Sequence, residues 1–386
     1  MSGEEKVKAY TSSEPRMSAY LHSKGAALGL PVSGTFELTA RCNFNCRMCY
    51  VHQNGPDLAG KELTAAEWLE IGKKARDMGM VFLLLTGGEP MLRPDFPEIY
   101  TGLVRLGLIV SINSNASLYN EEIRQTFLRY PPSRINVTLY GGSEETYRNL
   151  CGNASFEKVA ENLRSMKDDG LQVRLNVSLT PYNVGDMEKI DAISREIGLQ
   201  AKSSAYMYPP VRLNGETGVN KGRFTAEEAG RIMAEWDAIR DTEELFHQRA
   251  ERIRQNRKAI DTDACVDVNE TGEGIRCRAG RSAFWMTWEG KLMPCGTMPV
   301  EDDAPDVRKV GFEAAWKWVR DYAAAVRMPS ECRTCPEKEN CPSCASVCKC
   351  ETGKFDEKPC YLCEMTEARV SSILQIDEER EKNKGV

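Results

Sequence analysis

Val81-Phe82-Leu83-Leu84-Leu85-Thr86-Gly87-Gly88-Glu89-Pro90 is an apolar strand that runs straight into a turn carrying two glycines and a carboxylate. Comparable apolar runs recur on both sides of it, at Thr35–Ala40, Leu108–Asn113, Arg134–Tyr140, Leu171–Leu179 and Gln200–Tyr206. Helical segments separate them. Thr64-Ala65-Ala66-Glu67 has the spacing of a capping box, and Phe156, Val159, Leu163 and Met166 share one helical face. Six strands alternating with helices predict repeated βαβ units and a parallel sheet. Six units fall short of a closed eight-stranded barrel. The expectation is therefore an α/β fold built as a partial (βα)6 TIM-like barrel, with a doubly wound sheet as the alternative.

Pro209-Pro210 and Asn214-Gly215 break this pattern. Thr225-Ala226-Glu227-Glu228 is a second capping box, opening a charged helical stretch that runs to about Ile260 and reads as a solvated face. From Cys277 onward the composition shifts to Cys, Pro and short turns. Phe284–Trp288, Glu289-Gly290 and Lys291–Met293 read as a hairpin. The charged tail from Glu378 to Val386 is expected to fray.

The chain has 386 residues, enough for two or three domains, and its 41% hydrophobic content builds a sizeable core. Global disorder and collagen-like structure are excluded. A balance of 51 basic against 57 acidic residues, formally −6, does not advertise nucleic acid or an anionic membrane as the main partner. No apolar run approaches the ~20 residues of a membrane span. Met1 to Pro31 lacks the apolar segment of a secretory signal. Both observations point to the cytoplasm, where thiols stay reduced.

Against that background the 15 Cys are conspicuous, with only His22, His52 and His247 beside them. They are clumped: Cys42, Cys46 and Cys49 form one group, and eight lie between Cys332 and Cys363. Many Cys in a reduced compartment argue for metal or cluster ligation rather than disulfides. Cys151 reads as structural. The first group, C-x3-C-x2-C, follows the first strand directly, at the sheet edge where active sites of parallel βα folds gather. Three thiolates there suit three irons of a [4Fe–4S] cube and leave the fourth iron open, because such clusters ordinarily take four Cys. A zinc site completed by His52 is the alternative. Gly87-Gly88-Glu89-Pro90 sits at the same edge. Its glycines let backbone approach a ligand and Glu89 can accept a bond from an amine, although alone it reads as an ordinary βα turn.

Together these two motifs resemble the radical S-adenosylmethionine (SAM) superfamily over about Thr35 to Tyr208. The resemblance implies that an open iron binds the amino and carboxylate groups of SAM, and that Gly87, Gly88, Glu89 and Pro90 bind its methionyl amine. Cleavage of the sulfonium by an electron from the cluster then yields a 5′-deoxyadenosyl radical that abstracts hydrogen from substrate. Further implied contacts are Asn113, Ser114 and Asn115 to the ribose and Thr138 to the carboxylate, where many relatives carry Ser. Tyr140 stands where the family usually has Asp. Arg148 and Arg174 are candidates for the carboxylate, and Tyr50 for packing against the adenine.

The second cysteine group also fits a known layout. Cys277, then Gly290 and Cys295, then Cys332-x2-Cys335-x5-Cys341, resemble the SPASM extension of radical SAM enzymes, a small cysteine-rich iron–sulfur domain. That resemblance implies two auxiliary [4Fe–4S] clusters. Cys277 and Cys295 serve the first; Cys332, Cys335 and Cys341 serve the second. The family's next Cys falls here on Ala345, flanked by Cys344 and Cys348. Of these Cys348 is favoured for crossing to the first cluster, and Cys363 is favoured over Cys360 for closing the second. Cys265 is a possible fourth ligand, and Cys350 is unassigned.

The implied organisation is an N-terminal extension over 1–33, the partial barrel over 34–215, a helical connector over 216–275 and the auxiliary-cluster domain over 276–386. Relatives with this extension mostly modify peptides or proteins, so the implied substrate is a ribosomal peptide or protein side chain, with a small molecule as the alternative and a non-catalytic iron–sulfur electron carrier behind it. A flavodoxin or ferredoxin is the expected reductant. Tyr206, Tyr208, Arg212 and Arg223 are candidates to face substrate, and no general base stands out.

Overall fold

The computed structural model describes residues 17–51, 58–152, 154–199, 201–209, 222–262, 274–299 and 301–384. Helix α1 (Met17–Leu28) leads into β1 (Ser33–Glu37), α2 (Ala65–Asp77), β2 (Phe82–Thr86), α3 (Phe96–Arg105), β3 (Ile109–Ser114) and α4 (Glu121–Arg129). The alternation continues through β4 (Arg134–Thr138), α5 (Glu144–Cys151), α6 (Phe156–Asp168), β5 (Val173–Ser178), α7 (Met187–Ile197) and β6 (Ala201–Ser204). Then come α8 (Ala226–Arg240), α9 (Glu243–Thr262) and a hairpin of β7 (Ala283–Met286) and β8 (Leu292–Met293). The remainder is helical: α10 (Val307–Val310), α11 (Phe312–Ala325), α12 (Ala345–Thr352) and α13 (Cys360–Lys384).

All six expected strands are present, each one to three residues shorter than or shifted from the apolar run that announced it. Their order in the sheet is β6-β5-β4-β3-β2-β1-β7-β8. From β1 to β6 each strand pairs in parallel with the next, without the reversal that defines a doubly wound sheet. The sheet therefore winds one way, as a barrel does, and its outer strands β6 and β8 do not meet. Alternate strand residues fill the core, among them Phe36, Leu83, Leu85, Ile112, Ile135, Val137 and Leu175. Helices pack on that face; Trp68 of α2 lies 4.9 Å from Phe36, ring to ring. Thr64 does cap α2, its side chain accepting from the Glu67 N–H while Glu67 reaches back.

Three features differ from expectation. The hairpin does form, but β7 also pairs in parallel with β1, extending the barrel sheet, and the Trp285 indole N–H donates to Glu37 at 2.9 Å. The stretch after Thr225 breaks at Asp241-Thr242 into two helices, and α8 is not a solvated helix. It buries Ala229, Ile232, Met233 and Trp236. Its partner is α13, which approaches so closely at Gly230 that a Cβ there would stand 2.3 Å from the Met365 carbonyl oxygen. The C-terminal segment does not fray at Glu378 but stays helical to Lys384. Its charges are engaged: Asp377 takes His247 at 3.0 Å and Arg254 at 2.8 Å, and Arg369 takes Asp237 at 2.6 Å. Among the described residues no helix is long and apolar enough to cross a membrane.

Gly230→Val is expected to wedge α13 off α8 and lower stability by about 1–3 kcal/mol, the usual range for overpacking. Gly60→Ala, which meets open space, is the control. An unchanged midpoint of thermal unfolding for Gly230→Val would show that this contact does not hold the C-terminal helix.

Candidate active site

Five successive strands end on a hydroxyl: Thr86, Ser114, Thr138, Ser178 and Ser204 close β2 to β6 in turn. All five line one cavity of about 360 Å³ at the C-terminal edge of the sheet, with Cys42, Cys46 and Cys49 in the same wall. Gly87, Gly88, Asn113 and Asn115 complete the polar side, while Phe44, Met48, Tyr50, Tyr140 and Tyr208 supply apolar and aromatic surface. The two cysteine-proximal motifs thus converge on one space, as their position at strand ends predicts.

The glycines have a reason beyond ligand access. The ladder between β1 and β2 continues past both strands: the Gly88 N–H donates to the Thr39 carbonyl at 2.8 Å, and the Glu89 N–H to that of Arg41 at 2.9 Å. A Cβ on Gly87 would stand 2.5 Å from the Thr39 oxygen, and one on Gly88 2.3 Å from the Arg41 oxygen. The segment that carries the chain to the first thiol therefore lies directly on the glycines. Arg41 is held in turn by a bidentate bond to Glu62 at 2.9 Å. Arg93 caps the Leu38 and Leu63 carbonyls at 2.9 Å.

Glu89 is fully buried. Its carboxylate accepts from the Ser114 hydroxyl at 3.0 Å, the Asn115 N–H at 2.7 Å and the Met91 N–H at 3.1 Å. Desolvation pushes its pKa up to about 7, and those three bonds hold it from going higher. It knits the end of β2 to the end of β3 from behind the cavity wall. Asn115 carries the link onward, its amide donating to Asn43 at 3.0 Å and lying 3.7 Å from the Cys42 sulfur. On the far side the Asn45 and Arg47 N–H groups donate to the Cys151 and Leu150 carbonyls, at 2.9 and 3.0 Å. The thiol loop is thus fixed at both flanks by the ends of β3 and α5. Burial drives the Cys42 thiol up to about 12. Cys46 rises too, chiefly through its contact with the buried Cys151. Binding iron at such thiols must displace their protons.

The other candidates separate clearly. Asn113, Ser114, Asn115, Thr138 and Tyr50 line the cavity. Asn113 is held by the Asn136 amide at 2.8 Å. Tyr140 lines it as well, with its ring 6.4 Å from Phe44. Arg148 does not reach it: this residue sits exposed on α5, and neither it nor Arg174 is among the cavity-lining residues. Arg223 is taken up by Glu351 at 2.7 Å and by the Tyr361 ring, 3.5 Å from its guanidinium. Tyr206 donates to the same Glu351, tying the barrel to α12, while its ring lines the cavity. Tyr208 lies 5.7 Å from Tyr50, ring to ring. Arg212, His52 and Cys265 lie outside the described residues. Thr86, Ser178 and Ser204 are the cavity hydroxyls that no motif in the sequence marks.

The later thiols form two neighbourhoods. Cys344 stands within electrostatic reach of Cys295 and Cys277. Cys332, Cys335, Cys341 and Cys363 stand within reach of one another. Cys348 is fully buried, with Cys332, Cys344 and Cys341 within electrostatic reach. Cys360 is exposed, its sulfur 3.9 Å from the Lys358 carbonyl. Among the described residues no three His, Cys, Asp or Glu side chains converge closely enough for a single metal ion. A four-iron cube asks for something wider, since each thiolate takes a separate corner.

Residues 36–192 match the family model of the radical SAM superfamily, a family whose chemistry uses SAM and a [4Fe–4S] cluster; three thiols and a diglycine turn stand at one edge of that matched barrel. The chain is 25% identical over 339 residues to the AdoMet-dependent heme synthase of Methanosarcina barkeri, which spans 84% of this chain and 94% of that protein. It is 28% identical over 272 residues to a probable GTP 3′,8-cyclase of Saccharolobus solfataricus, covering 70% of this chain and 83% of that one. In fold it resembles Streptococcus suis SuiB bound to S-adenosylmethionine, with a TM-score of 0.62 at 15% identity over 89% of this chain and 81% of the other. It resembles anSMEcpe with bound AdoMet likewise, with a TM-score of 0.63 at 14% identity over 90% and 96%. The two fold matches cover about nine tenths of this chain, so they extend into its cysteine-rich C-terminal region.

Gly88→Ala touches no thiol, yet its methyl group meets the Arg41 carbonyl. It is expected to displace the loop and lower the iron retained after reconstitution by about one cluster, four irons. Full iron content in this variant would show that the strand ladder yields without moving the thiols.

Proposed function

We propose that this chain is a radical SAM enzyme that modifies a peptide or protein side chain, with two auxiliary clusters in its C-terminal part. The observation that supports this reading is the open sheet: among the described residues β6 and β8 remain unjoined edges, a geometry that suits an extended substrate entering from the side. A closed barrel would admit only what fits through its mouth.

The donor set at the first site suits the group the family brings. Cys42, Cys46 and Cys49 are three soft ligands lining one cavity, which fits a cube with one free iron. When bound there, the cluster and SAM supply the reducing electron and the hydrogen-abstracting radical. The protein's part is to hold and shield. Backbone at Gly87 and Gly88 and the hydroxyls of Ser114 and Thr138 are placed to bind the polar groups of SAM, with Asn113 and Asn115 beside them. Phe44, Met48, Val51 and Tyr140 exclude water from the same space. Ser178 and Ser204 face the open side, where hydroxyls can bind a peptide backbone. Two groups of thiols further along support the auxiliary clusters, and a low-potential donor of the flavodoxin or ferredoxin type supplies the electrons.

A second reading has its own support. The heme synthase of Methanosarcina barkeri matches nearly end to end, which favours a small molecule such as a tetrapyrrole.

Under strong reduction the reconstituted protein is expected to release 5′-deoxyadenosine, and Cys46→Ala to abolish that release. A variant that still cleaves SAM would overturn the placement of the first cluster. Co-expression with peptides encoded nearby, read by mass spectrometry, separates the substrates: a mass shift on a peptide supports the first reading, and turnover of a tetrapyrrole with no peptide altered supports the second.

A further inference from the structure

Helix α12 divides the cysteines that the sequence leaves ambiguous. Residues four apart on a helix share a face, whereas residues two apart point to opposite sides. Ser346 and Cys350 therefore look one way and Cys348 the other. The surroundings agree. Cys348 is fully buried among Ile275, Ala279, Met293 and Met328. The opposite face meets the turn after Cys295. There the Cys350 thiol donates to the Thr297 carbonyl at 3.0 Å, the Cys295 sulfur lies 3.2 Å from the Thr297 hydroxyl, and that hydroxyl lies 2.7 Å from Ser346. Cys295 and Cys350 thus touch the same residue. Cys344, at the start of α12, stands within reach of Cys295 and Cys277, and Cys350 within reach of Cys344 and Cys295.

We propose that Cys350 is the fourth ligand of the first auxiliary cluster, completing a ring with Cys277, Cys295 and Cys344, and that Cys348 binds no iron. The inference rests on the auxiliary-cluster reading above. It restores a full ligand set to a chain in which Ala345 stands where a cysteine is expected. The second cluster keeps Cys332, Cys335, Cys341 and Cys363. Cys348, lying between the two sets and packed in apolar surroundings, behaves as a core residue.

The test uses the full chain with Cys42, Cys46 and Cys49 all changed to Ala, so that only auxiliary iron is counted. Anaerobic reconstitution is expected to give about eight irons per chain, four for each cube. Adding Cys350→Ala is expected to open one cube, leaving either about seven irons with the electron paramagnetic signal of an oxidised three-iron cluster or about four irons if the cube is lost. Cys350→Ser keeps the size of the side chain and guards against simple misfolding; it is expected to shift the spectrum of one cluster. Cys348→Ala is expected to retain about eight irons. Undiminished iron and unaltered spectra in both Cys350 variants would overturn the assignment, as would iron loss in Cys265→Ala or Cys348→Ala instead. A parent chain that binds no auxiliary iron would overturn the auxiliary-cluster reading itself, which the Cys350 variants alone would not do.

Discussion

Two strand ends lying backbone on backbone set everything else at the site. Beyond β1 and β2 the chain runs side by side for three more residues on each strand, with Gly87 and Gly88 against Thr39 to Arg41. No side chain fits in that seam. The seam fixes where the polypeptide leaves the sheet, and Cys42 is the next residue along. The Glu62 carboxylate and the Arg93 guanidinium lock the same segment from below. Precise delivery of a thiol loop thus comes from hydrogen bonds that involve no sulfur.

From that anchor the site is assembled by repetition. Each strand from β2 to β6 delivers one small hydroxyl to the cavity rim. Small side chains leave room for a bulky cofactor, and hydroxyls both donate and accept. Buried Glu89 then works as a clamp between neighbouring strand ends, which accounts for an acidic residue in a place where water has been removed. The aromatic pair Tyr50 and Tyr208 lines the cavity, and Tyr208 is also within electrostatic reach of Cys344 and Cys295, so the wall of the first thiol site continues toward the later cysteines.

The barrel was legible in the sequence because six apolar runs and two capping boxes carry their own periodicity. The thiol loop and the diglycine turn were legible because their spacing is local. What stayed hidden depends on contacts between distant segments. Strand β7 joins the sheet beside β1 across about 250 residues of chain, and nothing local in Phe284 to Trp288 announces the partner. Helix α8 has so many charges that it reads as solvated, yet Gly230, Ala234 and Asp237 mark the face that α13 covers. That Cys344 stands at the N-cap of α12 and Cys348 on its buried face could not be told without knowing where α12 begins. Arg148 looked chemically apt for a carboxylate, but the pitch of α5 turns it outward to solvent.

The last helix has a consequence for the order of events during synthesis. Cys363 lies near the start of α13, and its three neighbours Cys332, Cys335 and Cys341 precede it by only 22 to 31 residues. All four emerge from the ribosome after the barrel is complete, and the packing of α13 on α8 and α9 brings Cys363 to them. The first thiol loop, near the opposite end of the chain, takes its shape from the β1–β2 seam and the ends of β3 and α5, all of which lie at or before Cys151. The two groups of thiols therefore depend on different stages of assembly: the first on the early strands of the barrel, the second on the docking of the final helix.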